Sequence, residues 1–134
     1  MRKNMQLRRT FLSVGFVFLL AAIPLTAHHG TNVSYDHSRT VTLTGTVTEF
    51  VWQNPHTQIY FDVKDARGNI VHWAAEMNSP GVLSRQEGWT RKTLKAGDEI
   101  TVTVFPSKAG TPVGVVNKIV LKGKAILENR GGQQ

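Results

Sequence analysis

From Val41 to Thr48 the chain alternates without a break. Val41, Leu43, Gly45 and Val47 fall on one face, and Thr42, Thr44, Thr46 and Thr48 on the other. A two-residue period rich in Val and Thr fits a pleated strand with one buried face and does not fit a helix. The pattern recurs. Ile59, Phe61 and Val63 alternate with Tyr60, Asp62 and Lys64, and Val71, Trp73 and Ala75 alternate with Ile70, His72, Ala74 and Glu76. Ile100, Val102 and Val104 mark a fourth strand over 99–105, and Val115, Ile119 and Leu121 a fifth over 113–122. Ala125 to Leu127 are expected to add a short piece. Asn54-Pro55, Asp65 to Asn69 and Lys95 to Asp98 supply the turns. Residues 80–86 read as a short helix, capped by Ser79 and started by Pro80.

Five short strands with one small helix between the third and fourth predict an all-β fold, a five-stranded OB-like Greek-key barrel over residues 40–128. An open sandwich of six or seven strands is the competing layout. An isolated glycine in a strand marks a bend, so the first strand is expected to turn at Gly45. After Glu49 the phase mixes at Phe50, Val51 and Trp52, which suggests a strand that curls. The expected core is Val41, Leu43, Val47, Ile59, Phe61, Val63, Trp73, Leu83, Ile100, Val102, Val104, Ile119 and Leu121.

The chain before residue 40 is of a different kind. Arg2, Lys3, Arg8 and Arg9 precede an apolar run from Phe11 to Ile23, and Ala27 follows. A basic region, a short apolar region and a small residue form a secretory signal peptide, residues 1–27, with cleavage expected after Ala27. The apolar run is shorter than the ~20 residues that span a bilayer. The mature chain is therefore expected in the periplasm with no membrane span. Residues 28–39 read as an N-terminal arm and 129–134 as a frayed tail. Losing residues 1–27 leaves 107 of the 134 residues and lowers the formal charge from +7 to +3. That charge is ordinary for solubility and is no footprint for nucleic acid. With no cysteine, the chain has no disulfide, no thiolate metal site and no cysteine nucleophile.

All five histidines belong to the mature part. His28 and His29 are adjacent, His37 shares their arm, and His56 follows Asn54-Pro55. After cleavage at Ala27, His28 carries both the free α-amine and an imidazole, which together chelate one ion. A further imidazole from His29 or His56 completes a three-nitrogen set that suits Cu(II). Copper is thus the cofactor expected, if any is held. His72 shares a strand face with Ile70 and Ala74 and reads as a barrel-surface histidine.

A second reading is free of metal. Trp52 and Trp89, with Tyr60 and Trp73, offer aromatic surface on which a small ligand or an envelope protein can rest. A third uses Asp62 and Glu76 as paired carboxylates in a hydrolase, although a cation such as Lys64 or Arg67 is the simpler partner for Asp62. No nucleophile motif, phosphate loop or dinucleotide fingerprint is present, so no catalytic residue is assigned.

Ala27-His28-His29-Gly30 after a signal peptide, Tyr35-Asp36, Val41 to Val47, Trp52-Gln53-Asn54-Pro55-His56, Trp73 with Glu76 and Pro80, Gly88-Trp89-Thr90-Arg91 and Leu94 to Asp98 occur together. In this combination the chain resembles domain-of-unknown-function family 6152, small exported bacterial proteins. The resemblance covers His28 to about Leu127. Ala96 stands where that family commonly has proline. The resemblance implies a periplasmic single domain and no particular activity.

Overall fold

The computed structural model describes residues 34–129. Among the described residues six strands and one helix follow in the order β1 (Val41–Val51), β2 (Gln58–Lys64), β3 (Ile70–Glu76), α1 (Pro80–Glu87), β4 (Glu99–Pro106), β5 (Val113–Leu121) and β6 (Lys124–Glu128). The sheet order is β3-β2-β1-β4-β5-β6, and β3 also pairs with β5 in parallel. That last pairing, Ala74 to Glu76 against Val113 to Val115, closes the first five strands into a barrel. Closure removes most of the exposed edge that a small open sheet would carry. The competing sandwich is not formed.

β1 is long because it serves two neighbours. Its first half pairs with β4, Val41↔Val104 through Thr46↔Glu99, and its second half with β2, Thr46↔Asp62 through Val51↔Gln58. The change of partner falls next to Gly45. A Cβ there would collide with the carbonyl oxygen of Asp62 and crowd a Val63 methyl, so only glycine lets β1 and β2 approach this closely. Two residues on, a bulge between Val47 and Glu49 inserts Thr48 and shifts the phase. This is the curl expected after Glu49.

The inner faces meet in one core. Val47, Ile59, Phe61, Leu83, Ile100, Val102, Val104 and Ile119 are buried as expected, together with Ala75, Met77, Trp89, Leu94, Val116 and Leu127. Val41, Leu43, Val63, Trp73 and Leu121 are only half-buried against it. Val116, not Val115, fills the fifth strand's core position. A bulge in the β4–β5 pairing sets Thr103 opposite Lys118 and Val104 opposite Val116, which leaves Asn117 as the extra residue. Asn129 holds the bulge, its backbone N–H donating to the Asn117 carbonyl and its side-chain amide to that of Val116.

α1 plugs one end of the barrel with Leu83. Ser79 caps it by accepting from the Val82 N–H, Pro80 opens it, and Gly88 ends it in the left-handed conformation. Among the described residues no helix is long and apolar enough to cross a membrane.

Candidate functional site

His56 sits in the β1–β2 loop after a cis Asn54–Pro55 bond. The loop is pinned at Thr57, which is fully buried. Its N–H donates to the Asn78 carbonyl at 3.2 Å and its carbonyl accepts from Met77 N–H at 2.8 Å. Thr57 Oγ1 is buried without a partner among the described residues. The His56 ring is exposed, and its Nδ1 lies 3.2 Å from the Met77 carbonyl. A carbonyl only accepts, so Nδ1 carries the hydrogen, and in the neutral ring Nε2 has the lone pair. A backbone carbonyl on the far nitrogen is the usual support of a metal-ligating imidazole.

The outer face of β2 and β3 is polar and open. Opposite each other in register, Asp62 and His72 are joined at 2.6 Å through Oδ1 and Nδ1. The His72 side chain is 82% exposed. The partner of Asp62 is therefore this imidazole and not Lys64 or Arg67. Tyr60, 36% exposed, donates its hydroxyl to Gln58 Oε1 at 2.8 Å, and Ile70 is 46% exposed. Glu76 lies opposite Gln58, four residues along β3 from His72. At about 3.3 Å per residue Asp62 and Glu76 are more than 10 Å apart, so the fold does not bring these carboxylates together. The same spacing separates His72 from the Met77 carbonyl that holds His56, and the two imidazoles do not share an ion.

The arm, as far as it is described, runs along the outside of the barrel as an extension of β1. Asp36 N–H donates to the Pro106 carbonyl at 2.8 Å, Lys108 N–H to that of Ser34 at 3.0 Å, and Tyr35 bridges Ser107. The His37 ring packs on Phe105 with centroids 4.6 Å apart. Its Nε2 is buried without a partner among the described residues. Burial first, and the Glu76 carboxylate second, push the Tyr35 phenol above its ordinary pKa. Asp36 is held below the usual carboxylate range by hydrogen bonds from the Ser38 hydroxyl and backbone N–H, and then by Arg39.

His28 and His29 lie outside the described residues, as do the signal segment and the end of the tail. Among the described residues no three His, Cys, Asp or Glu side chains gather as a metal site. The two tryptophans part company. Trp52 is half-buried at the end of β1, its ring 5.8 Å from Phe50. Trp89 is 3% exposed, packs edge-on to Phe50 and donates Nε1–H to the Ile126 carbonyl at 2.9 Å. A ring so enclosed offers no stacking surface, and the expectation for Trp89 is corrected to a core residue. The His72–Asp62 pair was not legible beforehand. Its signal is the cross-strand register, which the β2–β3 hairpin sets.

The strand order, the parallel β3–β5 closure and the helix between β3 and β4 define an OB-type barrel. Solved structures of this kind resemble it. The mitochondrial single-stranded DNA binding protein Rim1 of S. cerevisiae is similar with a TM-score of 0.45 and 12% identity, covering 72% of this chain and 98% of that one. The N-terminal domain of PriB from Thermoanaerobacter tencongensis is similar with a TM-score of 0.41 and 15% identity, covering 65% and 99%. Likeness at this level is one of chain path, and nothing about binding passes with it. No curated protein matches the chain. Residues 17–117 match the family of unknown function DUF6152, and the chain belongs to that family.

Proposed function

We propose that this protein is an exported periplasmic binding module that holds Cu(II) through His28, His29 and His56. The observation that carries the reading is the His56–Met77 hydrogen bond, which fixes the ring and leaves Nε2 as the donor atom. Six residues separate His28 from Ser34, and an extended chain of that length reaches about 20 Å. Ordering the arm costs conformational entropy, and an imidazole already fixed by the barrel offsets part of that cost. With only nitrogen and oxygen donors, the set favours Cu(II), Zn(II) or Ni(II) over Cu(I), and the Irving–Williams order ranks Cu(II) above Zn(II). Bound copper would supply Lewis acidity or a one-electron centre, and the chain's own part is to fix the donors.

The metal-free reading keeps one specific support. Tyr60 and Ile70 are exposed on the β2–β3 face beside the Asp62–His72 pair, where a small ligand or an envelope protein can rest. N-terminal sequencing and metal analysis of protein taken from the periplasm separate the two readings. A chain beginning at His28 with copper bound supports the first. A chain beginning elsewhere removes the amine chelate, and a metal-free chain favours the second.

A further inference from the structure

Charge is not spread evenly over the barrel. Arg85 on α1, Arg91, Lys92 and Lys95 in the loop before β4, and Lys122 and Lys124 around the β5–β6 turn are all exposed. They share the end that α1 plugs. Ser84 Oγ donates to the Trp89 carbonyl at 2.9 Å and Trp89 Nε1–H to Ile126, which ties the helix, the loop and β6 together. None of the six cations forms an ion pair with a described residue. Glu87, Asp98 and Glu99 are acids of this end, and the exposed Glu49 stands beside Phe50 on β1. Elsewhere in residues 34–129 five acids balance five bases, so the excess positive charge of the described chain sits here.

A ridge of half-buried apolar side chains borders the same end, over the enclosed Trp89 ring. Trp52, Phe50 and Trp89 follow one another at ring separations of 5.8 and 6.1 Å, and Trp89 leads on to Ile126. Trp52, Phe50 and Ile126 are half-buried, and the Trp52 indole N–H has no hydrogen-bond partner among the described residues. An amphipathic ring beside unpaired cations matches the headgroup layer of a bilayer, where indoles concentrate and basic side chains meet anionic lipid. A soluble polyanion would use the cations and leave the ridge idle.

We propose that the α1 end of the barrel docks on a bilayer surface rich in anionic headgroups, with Trp52 entering the headgroup layer. This inference stands apart from the metal reading and uses none of its residues. The test is flotation of the protein, as the cell processes it, with phosphatidylcholine vesicles and with vesicles containing phosphatidylglycerol. Binding is expected only to the anionic vesicles, with a blue shift of tryptophan emission that Trp52→Phe abolishes, and it should fall as salt screens the charges. Each basic residue near the surface contributes about fivefold, so Lys92→Gln with Lys124→Gln should weaken binding roughly 25-fold. Lys64→Gln with Arg67→Gln, on the β2–β3 hairpin, should leave it unchanged. Equal binding to neutral vesicles, equal loss in the two pairs, or no binding overturns the proposal. Tighter binding to oligo(dT) than to anionic vesicles at the same salt also overturns it and assigns the cations to nucleic acid.

Discussion

Trp89 Nε1–H donates to the Ile126 carbonyl at 2.9 Å, a contact spanning 37 residues of sequence. It fastens the segment after α1 to β6, which otherwise pairs, among the described residues, only with β5. Trp89 serves as a structural pin because its ring fills the plugged end while its one polar atom reaches a strand carbonyl. Trp89→Phe keeps most of the ring and removes the donor. A lost buried hydrogen bond costs roughly 1–3 kcal/mol, and urea unfolding should show a loss of that size. An unchanged midpoint would mean that β6 is held by its β5 pairing alone.

Gly45 makes a sharper case. Alanine there must displace the Asp62 carbonyl, part of the β2 backbone, and not a movable side chain. Overpacking of this kind costs about 1–3 kcal/mol. Gly45→Ala should lower the unfolding midpoint accordingly, while Thr46→Ala, one residue on and exposed, should change it little. Similar losses in both variants would place the effect in strand propensity and not in the close approach.

Phe61 is fully buried and stacks on Trp73 with centroids 6.4 Å apart. Phe61→Ala should cost roughly 3–5 kcal/mol, the range for emptying a core aromatic site. That is a large share of the ~5–15 kcal/mol of a typical domain. Calorimetry or denaturant unfolding reads it directly, and a loss under 1 kcal/mol would contradict the packing described.

Tyr35 predicts a pH dependence. Burial and then Glu76 raise its phenol above the ordinary value of 10.0, so the folded chain holds this proton to higher pH than the unfolded chain. The folded state then binds more protons through that window. The stabilisation is whole below the ordinary phenol value and is lost as pH rises from there through the raised folded value. Thermal unfolding followed from pH 8 to about 11 should show a steeper alkaline fall in the wild type than in Tyr35→Phe. Parallel curves would contradict the burial of the phenol against the barrel.

The strands were legible because each buries one face, and a two-residue period survives in the sequence wherever the strand is regular. It fails where a bulge shifts the phase. Val115 and Val116 exchange roles because Asn117 is extruded, and nothing near Asn117 announces it, since the restraint comes from Asn129. Trp89 was misread for a related reason. A tryptophan in a polar loop segment looks exposed until the strand that accepts its N–H is known. The helix was readable to within a residue, because Ser79-Pro80 and Gly88 are local signals. At the candidate site, the turn presenting His56 was legible from Asn54-Pro55. The Asp62–His72 pair was not, because register is a property of two strands together.

Titration calorimetry of four proteins reads whether His28, His29 and His56 hold one Cu(II). These are the mature chain, the same chain extended by one N-terminal glycine, His56→Ala and His72→Ala. Binding should require displacement of protons from imidazole and amine, and so weaken as pH falls. Cu(II) binding should be weaker for the glycine extension and for His56→Ala, with His72→Ala equal to the mature chain. Equal affinities across all four, or none above that of a free His-His peptide, would contradict this.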